Sequence, residues 1–173
     1  RGTEGKVELQ FEDSSTSVYD AVLVATGGHH NKEGFRWLSA TNHSIVDPVP
    51  SLFTFNFKDK SISALMGVSV ADAQVKIVGT KLEYAGPLLI THWGISGPAV
   101  LKLSSFAARM LADMKYQFTV SVNWLNKKED EVRNHILQLK QKFPKRTLYR
   151  LNEIELPKRL WEFILYKLQI DGE

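Results

Sequence analysis

The spacing of apolar residues along this chain changes from every second position to every third or fourth position. Between residues 52 and 89 apolar and polar residues alternate, most clearly at Phe53, Phe55 and Phe57. Such alternation is typical of strands with one buried face, and the polar turns between the runs indicate several short strands. After residue 126 the apolar residues recur at helical spacing. The sequence therefore predicts an α+β protein in which a small barrel or sandwich is followed by helices.

A proline-rich connection marks the clearest domain boundary. Residues 47–51 have the sequence Asp-Pro-Val-Pro-Ser, and the two prolines fix their own φ angles and keep the preceding residues out of helical conformation. We therefore predict three parts. Residues 1–46 contain strands, residues 47–125 form a β-domain with one helix, and residues 126–173 form a helical subdomain.

An apolar run before this boundary ends in two glycines. Residues 19–25 (YDAVLVA) are almost all apolar, which predicts a strand buried on both faces, as in the centre of a parallel sheet. Thr26, Gly27 and Gly28 follow, and small residues at the end of such a strand allow a ligand to approach the backbone closely. A tight turn after a core strand is the alternative, and spacing alone leaves both open. Alternation at residues 6–11 predicts a further strand.

The segment Gly86–Ser104 (GPLLITHWGISGPAVLKLS) combines glycines, His92, a tryptophan and a helix start. Ser96 is suited to cap that helix and Pro98 to occupy its first turn, and the apolar spacing predicts a helix at about 97–113. Free N–H groups at a helix start attract anions or electron-rich ligand edges. Histidine suits proton transfer near neutral pH, so His92 is a candidate catalytic residue. A structural corner with a hydrogen-bonded histidine explains the same residues, and both interpretations remain open.

Missing residue types exclude several kinds of site. The chain has no cysteine, which excludes disulfides, thiolate metal sites and thiol catalysis, and favours a cytoplasmic protein. No apolar run reaches the roughly 20 residues that a membrane helix needs. His29 and His30 are adjacent, but neighbouring side chains diverge and no third ligand stands nearby, so no metal site is predicted.

The net charge of +3 originates in the C-terminal part. Residues 127–173 hold 11 basic and 8 acidic side chains, whereas residues 1–126 hold 11 of each. A basic surplus can mark a surface for nucleic acid or for an acidic partner. Acidic residues are interspersed among the basic ones, and this favours a solvated helix face instead.

Three segments, together with the strands that flank them, resemble the BaiN/YhiN-like flavoproteins, a bacterial-type family of NAD(P)/FAD-dependent oxidoreductases that includes aminoacetone-oxidase-family FAD-binding proteins. They are YDAVLVATGG at 19–28, PVPSLFTFNF at 48–57 and LLITHWGISGPAVLKLS at 88–104. The pattern TH-x-G-x-SGPA at 91–99 is the most specific part of this resemblance, since many other flavoproteins share the ATGG pattern. The resemblance covers residues 6–125 well and extends to the helical tail in character.

The resemblance implies an internal fragment of a longer FAD enzyme. Residues 1–46 would be a remnant of a Rossmann-like FAD domain, whose usual GxGxxG turn this chain lacks. Residues 47–173 would be an inserted domain, a small β-barrel that carries a helical subdomain and covers the flavin side of the active site. His92 is then the catalytic candidate. The residues that match the family's cofactor-binding segments are Ala25, Thr26, Gly27, Gly28, Thr91, Gly94, Ser96 and Gly97.

We therefore expect the parent protein to transfer a hydride or an electron pair between a flavin and an organic substrate. The expected cofactor is FAD, with NAD(P)H as a further candidate, and the fragment alone is expected neither to hold FAD tightly nor to be active. The expected partners are the rest of the FAD domain and a small organic substrate, without a membrane or a nucleic acid. The alternative is a stand-alone β-barrel module that binds protein or nucleic acid through its basic helical tail.

Overall fold

The proline-rich connection separates two units of the chain, Arg1–Pro48 and Val49–Glu173. The computed structural model describes residues 2–3, 5–39, 41–151 and 153–170. The predicted helical subdomain at 126–173 therefore has Asn152 and its last three residues outside the described part. None of the helices in the described ranges combines the length and apolarity that crossing a membrane requires.

The first unit contains a small antiparallel sheet. Its strands are β1 (Gly2–Thr3), β2 (Lys6–Gln10) and β3 (Thr16–Tyr19), with β2 in the middle. A 3₁₀ helix at Lys32–Phe35 leads directly into α1 (Arg36–Ser39). The strand predicted at residues 6–11 is confirmed by β2, although none of the side chains that the structure describes in this unit is buried.

The buried strand predicted at residues 19–25 is wrong. Only Tyr19 belongs to a strand, and residues 21–29 have no regular secondary structure and are exposed, with Leu23 at 92% exposure. A strand buried on both faces needs neighbouring strands and a covering layer on each side. The described residues of this unit pair none of their strands with residues 21–28. The apolar run at residues 19–25 is therefore exposed, and no second layer of the described unit buries it.

The second unit is built on a five-stranded antiparallel sheet that curls into a half-barrel. Its spatial order is β4-β7-β6-β5-β8, so that β4 and β8 form the two edges. A β-bulge between Val70 and Ala73, in the strand Ser69–Ile77, increases the curvature. This architecture confirms the predicted α+β class and the barrel. The strands are β4 (Phe55–Asn56), β5 (Ser69–Ile77), β6 (Glu83–Ile90), β7 (Gly94–Ser96) and β8 (Val120–Asn123).

Two consecutive helices, α2 (Pro98–Phe106) and α3 (Ala108–Asp113), follow β7. They confirm the helix predicted at about 97–113, with one interruption at Ala107. Pro98 occupies the first turn as expected, but the prediction that Ser96 caps the helix is wrong. Ser96 still pairs with Leu89 in the sheet, and Gly97 takes the capping position.

The main core lies between the concave sheet and α2. Alternate residues of the strands supply it, including Val75, Ile77, Leu88 and Ile90, each at most 1% exposed. Ser104 on α2 is fully buried, and its hydroxyl accepts a hydrogen bond from the Phe53 N–H at 2.9 Å. This bond fastens the segment before β4 to the helix.

The helical part consists of α4 (Glu129–Lys142) and α5 (Lys158–Lys167), with a 3₁₀ helix at Leu148–Arg150 between them. Leu139, Leu151 and Ile154 form a second, smaller core there. Trp161 packs against it and donates a hydrogen bond from Nε1 to the Leu148 carbonyl at 2.8 Å. The helices predicted after residue 126 are confirmed, and Pro157 occupies the position before the first turn of α5.

Candidate functional site

The segment from Thr91 to Gly94 forms a tight hairpin between β6 and β7. The Thr91 N–H donates to the Gly94 carbonyl at 2.8 Å, and the Gly94 N–H donates to the Thr91 hydroxyl at 3.2 Å. The tip is also held from the side, since the Phe57 N–H donates to the Trp93 carbonyl at 2.8 Å. The backbone of His92 and Trp93 is therefore fixed from two directions.

The side chains of His92 and Trp93 project from this fixed tip. Both are exposed, Trp93 at 43%, and their ring centroids lie 3.7 Å apart. No hydrogen bond joins the His92 ring to any residue that the structure describes. A positioned imidazole whose nitrogens remain available can exchange a proton with a bound molecule. An exposed indole can stack on a planar ring.

The two glycines of the loop are required by contacts within the domain. A Cβ at Gly94 would overlap the Phe55 carbonyl oxygen, because β4 passes directly over this position. Gly97 has a φ of +98°, and a Cβ there would lie 2.8 Å from the Pro87 carbonyl oxygen. Close packing accounts for both glycines, and a role for Gly94 and Gly97 in cofactor binding remains a prediction.

Thr91 and Ser96 also have structural positions. The Thr91 hydroxyl closes the hairpin through Gly94, and Ser96 is half-buried in β7. The structure brings these residues and His92 together in one hairpin-to-helix corner, as the sequence predicted.

The ATGG turn has a different environment. Ala25, Thr26, Gly27 and Gly28 are all exposed. Gly27 has a φ of +76°, and no heavy atom lies within 4 Å of a Cβ built at Gly27 or Gly28. The backbone of Gly27 and Gly28 is therefore uncovered on the side where a Cβ would stand, and a ligand has room to approach the N–H groups.

An aromatic groove with a volume of about 1080 Å³ lies between the two edges of the half-barrel. Residues 50–58 form one wall and residues 116–124 form the other. Phe53 meets Tyr116 at 5.7 Å between ring centroids, in an edge-to-face arrangement. Phe57 belongs both to the groove wall and to the hydrogen bond that holds the hairpin tip.

The sequence did not predict this groove. It predicted that Phe53, Phe55 and Phe57 lie on the buried face of a strand, and Phe55 is indeed buried at 3% exposure. Alternation also runs through residues 116–124. Two runs in which aromatic residues alternate with other residues indicate strands with one aromatic face each. Because the runs are far apart in the sequence, the pattern does not show that they line the same cavity.

The adjacent histidines are stacked and exposed. The His29 and His30 ring centroids lie 4.6 Å apart, and no third ligand joins them. Within the described ranges, no three His, Cys, Asp or Glu side chains are grouped so that they could hold a metal ion.

Comparisons with known proteins place these features in context. The model of a protein family described as "HI0933-like protein barrel and H2TH domain" matches residues 49–173. A ribosomal RNA dihydrouridine synthase from Haemophilus influenzae is 32% identical over 149 residues. That alignment covers 82% of this chain and 34% of the relative, so the chain spans about a third of the relative's length.

Proposed function

Since this chain belongs to the family of the HI0933-like barrel and H2TH domain, we propose that it is the barrel and helical part of an FAD-dependent oxidoreductase. The family is of the flavoprotein type. The match over residues 49–173 is the observation that carries the proposal. The resemblance of residues 19–28 to the ATGG segment of flavoproteins supports it from a separate part of the chain.

The ATGG turn is compatible with a dinucleotide cofactor. Gly27 and Gly28 present bare backbone, and neither glycine is needed for packing within the described residues. Ala25, Thr26 and these two glycines would contact FAD through backbone groups and the Thr26 hydroxyl. When bound and reduced, for example by NAD(P)H, the flavin supplies a hydride. The chain's own residues have to orient the substrate, exclude water and supply a proton.

We assign the substrate class from the named relative. A dihydrouridine synthase acts on uridine, and dihydrouridine is uridine with two hydrogens added across one carbon–carbon double bond of the base. The reduction would add a hydride to one carbon of that bond and a proton to the other, with a reduced flavin as the source of the hydride. The proposed substrate is therefore a uridine in ribosomal RNA, rather than the small organic molecule expected from the resemblance.

The hairpin tip supplies the groups that this chemistry requires from the protein. His92 is positioned by a backbone held from two directions, and no described residue occupies its ring nitrogens, so it can donate the proton to the base carbon. Trp93 is exposed beside it and can stack on the flat base. His92 is thus the proposed proton donor and Trp93 the proposed positioning residue.

The proposal is tested in cells that lack the gene. We expect dihydrouridine to disappear from ribosomal RNA in the deletion strain and to return when the wild-type gene is supplied, as measured by mass spectrometry of nucleosides. Supplying the His92→Asn variant is expected to restore only a small fraction, because general acid catalysis contributes about 10²–10⁴-fold to a rate. His135→Asn, which alters an exposed histidine on α4, is the matched control and is expected to restore the wild-type amount.

Two further measurements on the purified full protein separate the parts of the proposal. A flavin absorbance spectrum tests the cofactor independently of the substrate. The pH dependence of the rate tests His92, because the loss of a proton donor removes one limb of the profile. A His92→Asn variant with an unchanged rate across pH would exclude His92 from proton transfer. Unchanged dihydrouridine in the deletion strain would exclude the substrate.

A further inference from the structure

We propose that the corner between α4 and the 3₁₀ helix at Leu148–Arg150 binds the phosphate backbone of the RNA substrate. This corner is the middle of a run, residues 132–151, that contains six basic side chains and no acidic one. The inference rests on the proposed function, because that function makes RNA the partner. It replaces the expectation, drawn from the sequence, that nucleic acid is not a partner.

Two of the basic side chains, Lys142 and Arg146, lie over an aromatic ring that is anchored in the protein. Phe143 ends α4 and packs on the second core. The Arg146 guanidinium lies 4.1 Å from the centre of its ring, and the Lys142 ammonium lies 5.3 Å from it. The Arg146 N–H also donates to the Phe143 carbonyl at 3.0 Å, which closes the turn. The charges are therefore presented by a compact corner whose backbone is held in place.

Most of this charge has no ion-pair partner among the described residues. Arg146 forms an ion pair with Glu153 at 3.0 Å. Ion pairs to the other four basic residues of the corner are absent from the described part of the chain. Those four residues are Lys140, Lys142, Lys145 and Arg150, all of them exposed.

Three other lysines of the helical part do form ion pairs. Lys127 pairs with Glu155, Lys158 pairs with Glu162, and Lys167 pairs with Asp59. Two further basic residues of the helical part, Lys128 and Arg159, have no ion pair among the described residues, but Lys128 precedes three acidic residues in the chain and Arg159 donates to the Ala64 carbonyl. Within the helical part, most of the unpaired charge of the described residues therefore lies at the corner. Basic residues in the last turn of a helix also stabilise the helix dipole, and this explains Lys140 and Lys142. It does not explain the two unpaired cations that lie beyond the helix.

A phosphate backbone is the ligand that suits this arrangement. Lysine ammonium groups bind phosphates as point charges, and arginine can bind them with two parallel hydrogen bonds. Contacts of this kind hold an RNA in position without reading its sequence. The corner would therefore anchor the substrate RNA, while selection of the target uridine belongs to other residues.

The test compares two triple variants of the full protein that lower its net charge equally. The first is Lys140→Gln, Lys142→Gln and Lys145→Gln at the corner. Glutamine preserves the helical propensity of α4. The control is Lys60→Gln, Lys81→Gln and Lys115→Gln, at exposed positions of the barrel unit that have no ion pair among the described residues. Circular dichroism checks that each variant is folded.

The measurement is the fluorescence anisotropy of a labelled RNA hairpin of ribosomal sequence, titrated at several salt concentrations. We expect the corner variant to bind at least about 10-fold more weakly than the wild type, and the control within about 2-fold of it. The slope of log affinity against log salt should decrease by about 2–3 for the corner variant, since each lost phosphate contact removes about 0.7–0.9.

The outcomes separate this inference from the proposed function. Equal losses in both triple variants, or no loss in the corner variant, would overturn the inference even if the wild type binds RNA and forms dihydrouridine. The inference would also be overturned if the wild type binds vesicles that contain anionic lipid, through the corner lysines, but does not bind the RNA. Unaltered dihydrouridine in the deletion strain would instead contradict the proposed function.

Discussion

At the scale of single residues, Gly94 is the position with the least freedom. It is buried in β7, and the backbone of β4 lies where its side chain would be. Its φ angle is not in the left-handed region, so conformational freedom is not what the position requires. The requirement is the close approach of two neighbouring strands. The same strand contact holds the carbonyl of Trp93 at the hairpin tip.

Gly94→Ala is therefore expected to lower the free energy of unfolding by about 1–3 kcal/mol, because the added methyl group forces β4 away from β7. Urea unfolding monitored by tryptophan fluorescence measures this change. Gly28→Ala is the control, since a Cβ at Gly28 meets no atom within 4 Å, and we expect a change within about 0.5 kcal/mol. If the two variants have equal free energies of unfolding, β4 moves away from β7 with little loss of stability.

At the scale of elements, Asp59 connects the start of one helix to the end of another. Its carboxylate accepts hydrogen bonds at 2.8 Å from both the N–H and the hydroxyl of Ser61, at the start of the 3₁₀ helix Lys60–Leu65. It also contacts the Lys167 ammonium at 3.2 Å, at the end of α5. These hydrogen bonds, first those from Ser61 and then that from Lys167, lower the pKa of Asp59 to about 2.

This pKa predicts a pH dependence with a defined sign. A carboxyl group whose pKa is lower in the folded state stabilises the fold above its unfolded value of 3.8. That stabilisation is lost as the pH falls from about 3.8 towards 2. Asp59→Asn should therefore reduce stability at neutral pH, and the difference from the wild type should shrink over this range. Urea midpoints measured from pH 6 down to pH 2 follow the effect.

The control for this measurement is Asp113→Asn. Asp113 is exposed at the end of α3, and the structure gives it no ion pair among the described residues. Its stability curve should run parallel to that of the wild type. A constant difference between Asp59→Asn and the wild type down to pH 2 would show that Asp59 acts without its charge.

At the scale of the whole molecule, the two units differ in how they bury apolar surface. Residues 49–173 contain two cores, whereas no side chain that the structure describes in residues 5–48 is buried. Local opening costs little free energy where few apolar contacts are lost. The first unit is consequently expected to open far more readily than the barrel.

Limited digestion with trypsin tests this difference. We expect cleavage first after Lys32 or Arg36, both exposed, and the accumulation of a fragment that retains residues 49–173. Mass spectrometry identifies the fragment. Lys81 is an internal reference, because it is exposed in the turn between β5 and β6 but its neighbours are fixed in the sheet. Cleavage at Lys81 as early as at Lys32 would contradict the expectation.

Much of the barrel unit could be predicted because its signals are local. Alternation predicted the strands, and Pro98 together with helical spacing predicted α2 and α3. The buried strand at 19–25 could not be predicted correctly, since an apolar run shows which residues need cover and not whether cover is present. The cap assigned to Ser96 failed for a similar reason, because pairing with Leu89 extends β7 up to the helix.

The candidate site was predicted in part. The glycines and the histidine of residues 91–97 indicated a site in the sequence. Only the fold shows that Gly94 and Gly97 lie against backbone oxygens. The aromatic groove and the unpaired basic corner were not predicted. Both depend on which distant residues are neighbours, and composition counts all charges alike whether or not a partner neutralises them.

The sequence by itself determined the class of this protein, its division at the prolines and the order of the strands and helices after residue 49, because residue spacing and proline geometry act over a few residues. Only the tertiary structure decided that Thr91 and Phe57 hold His92 and Trp93 at a fixed tip, and that positive charge at the end of α4 has no ion-pair partner in the described part of the chain. These features arise from hydrogen bonds, ion pairs and packing between distant residues, which residue spacing does not encode.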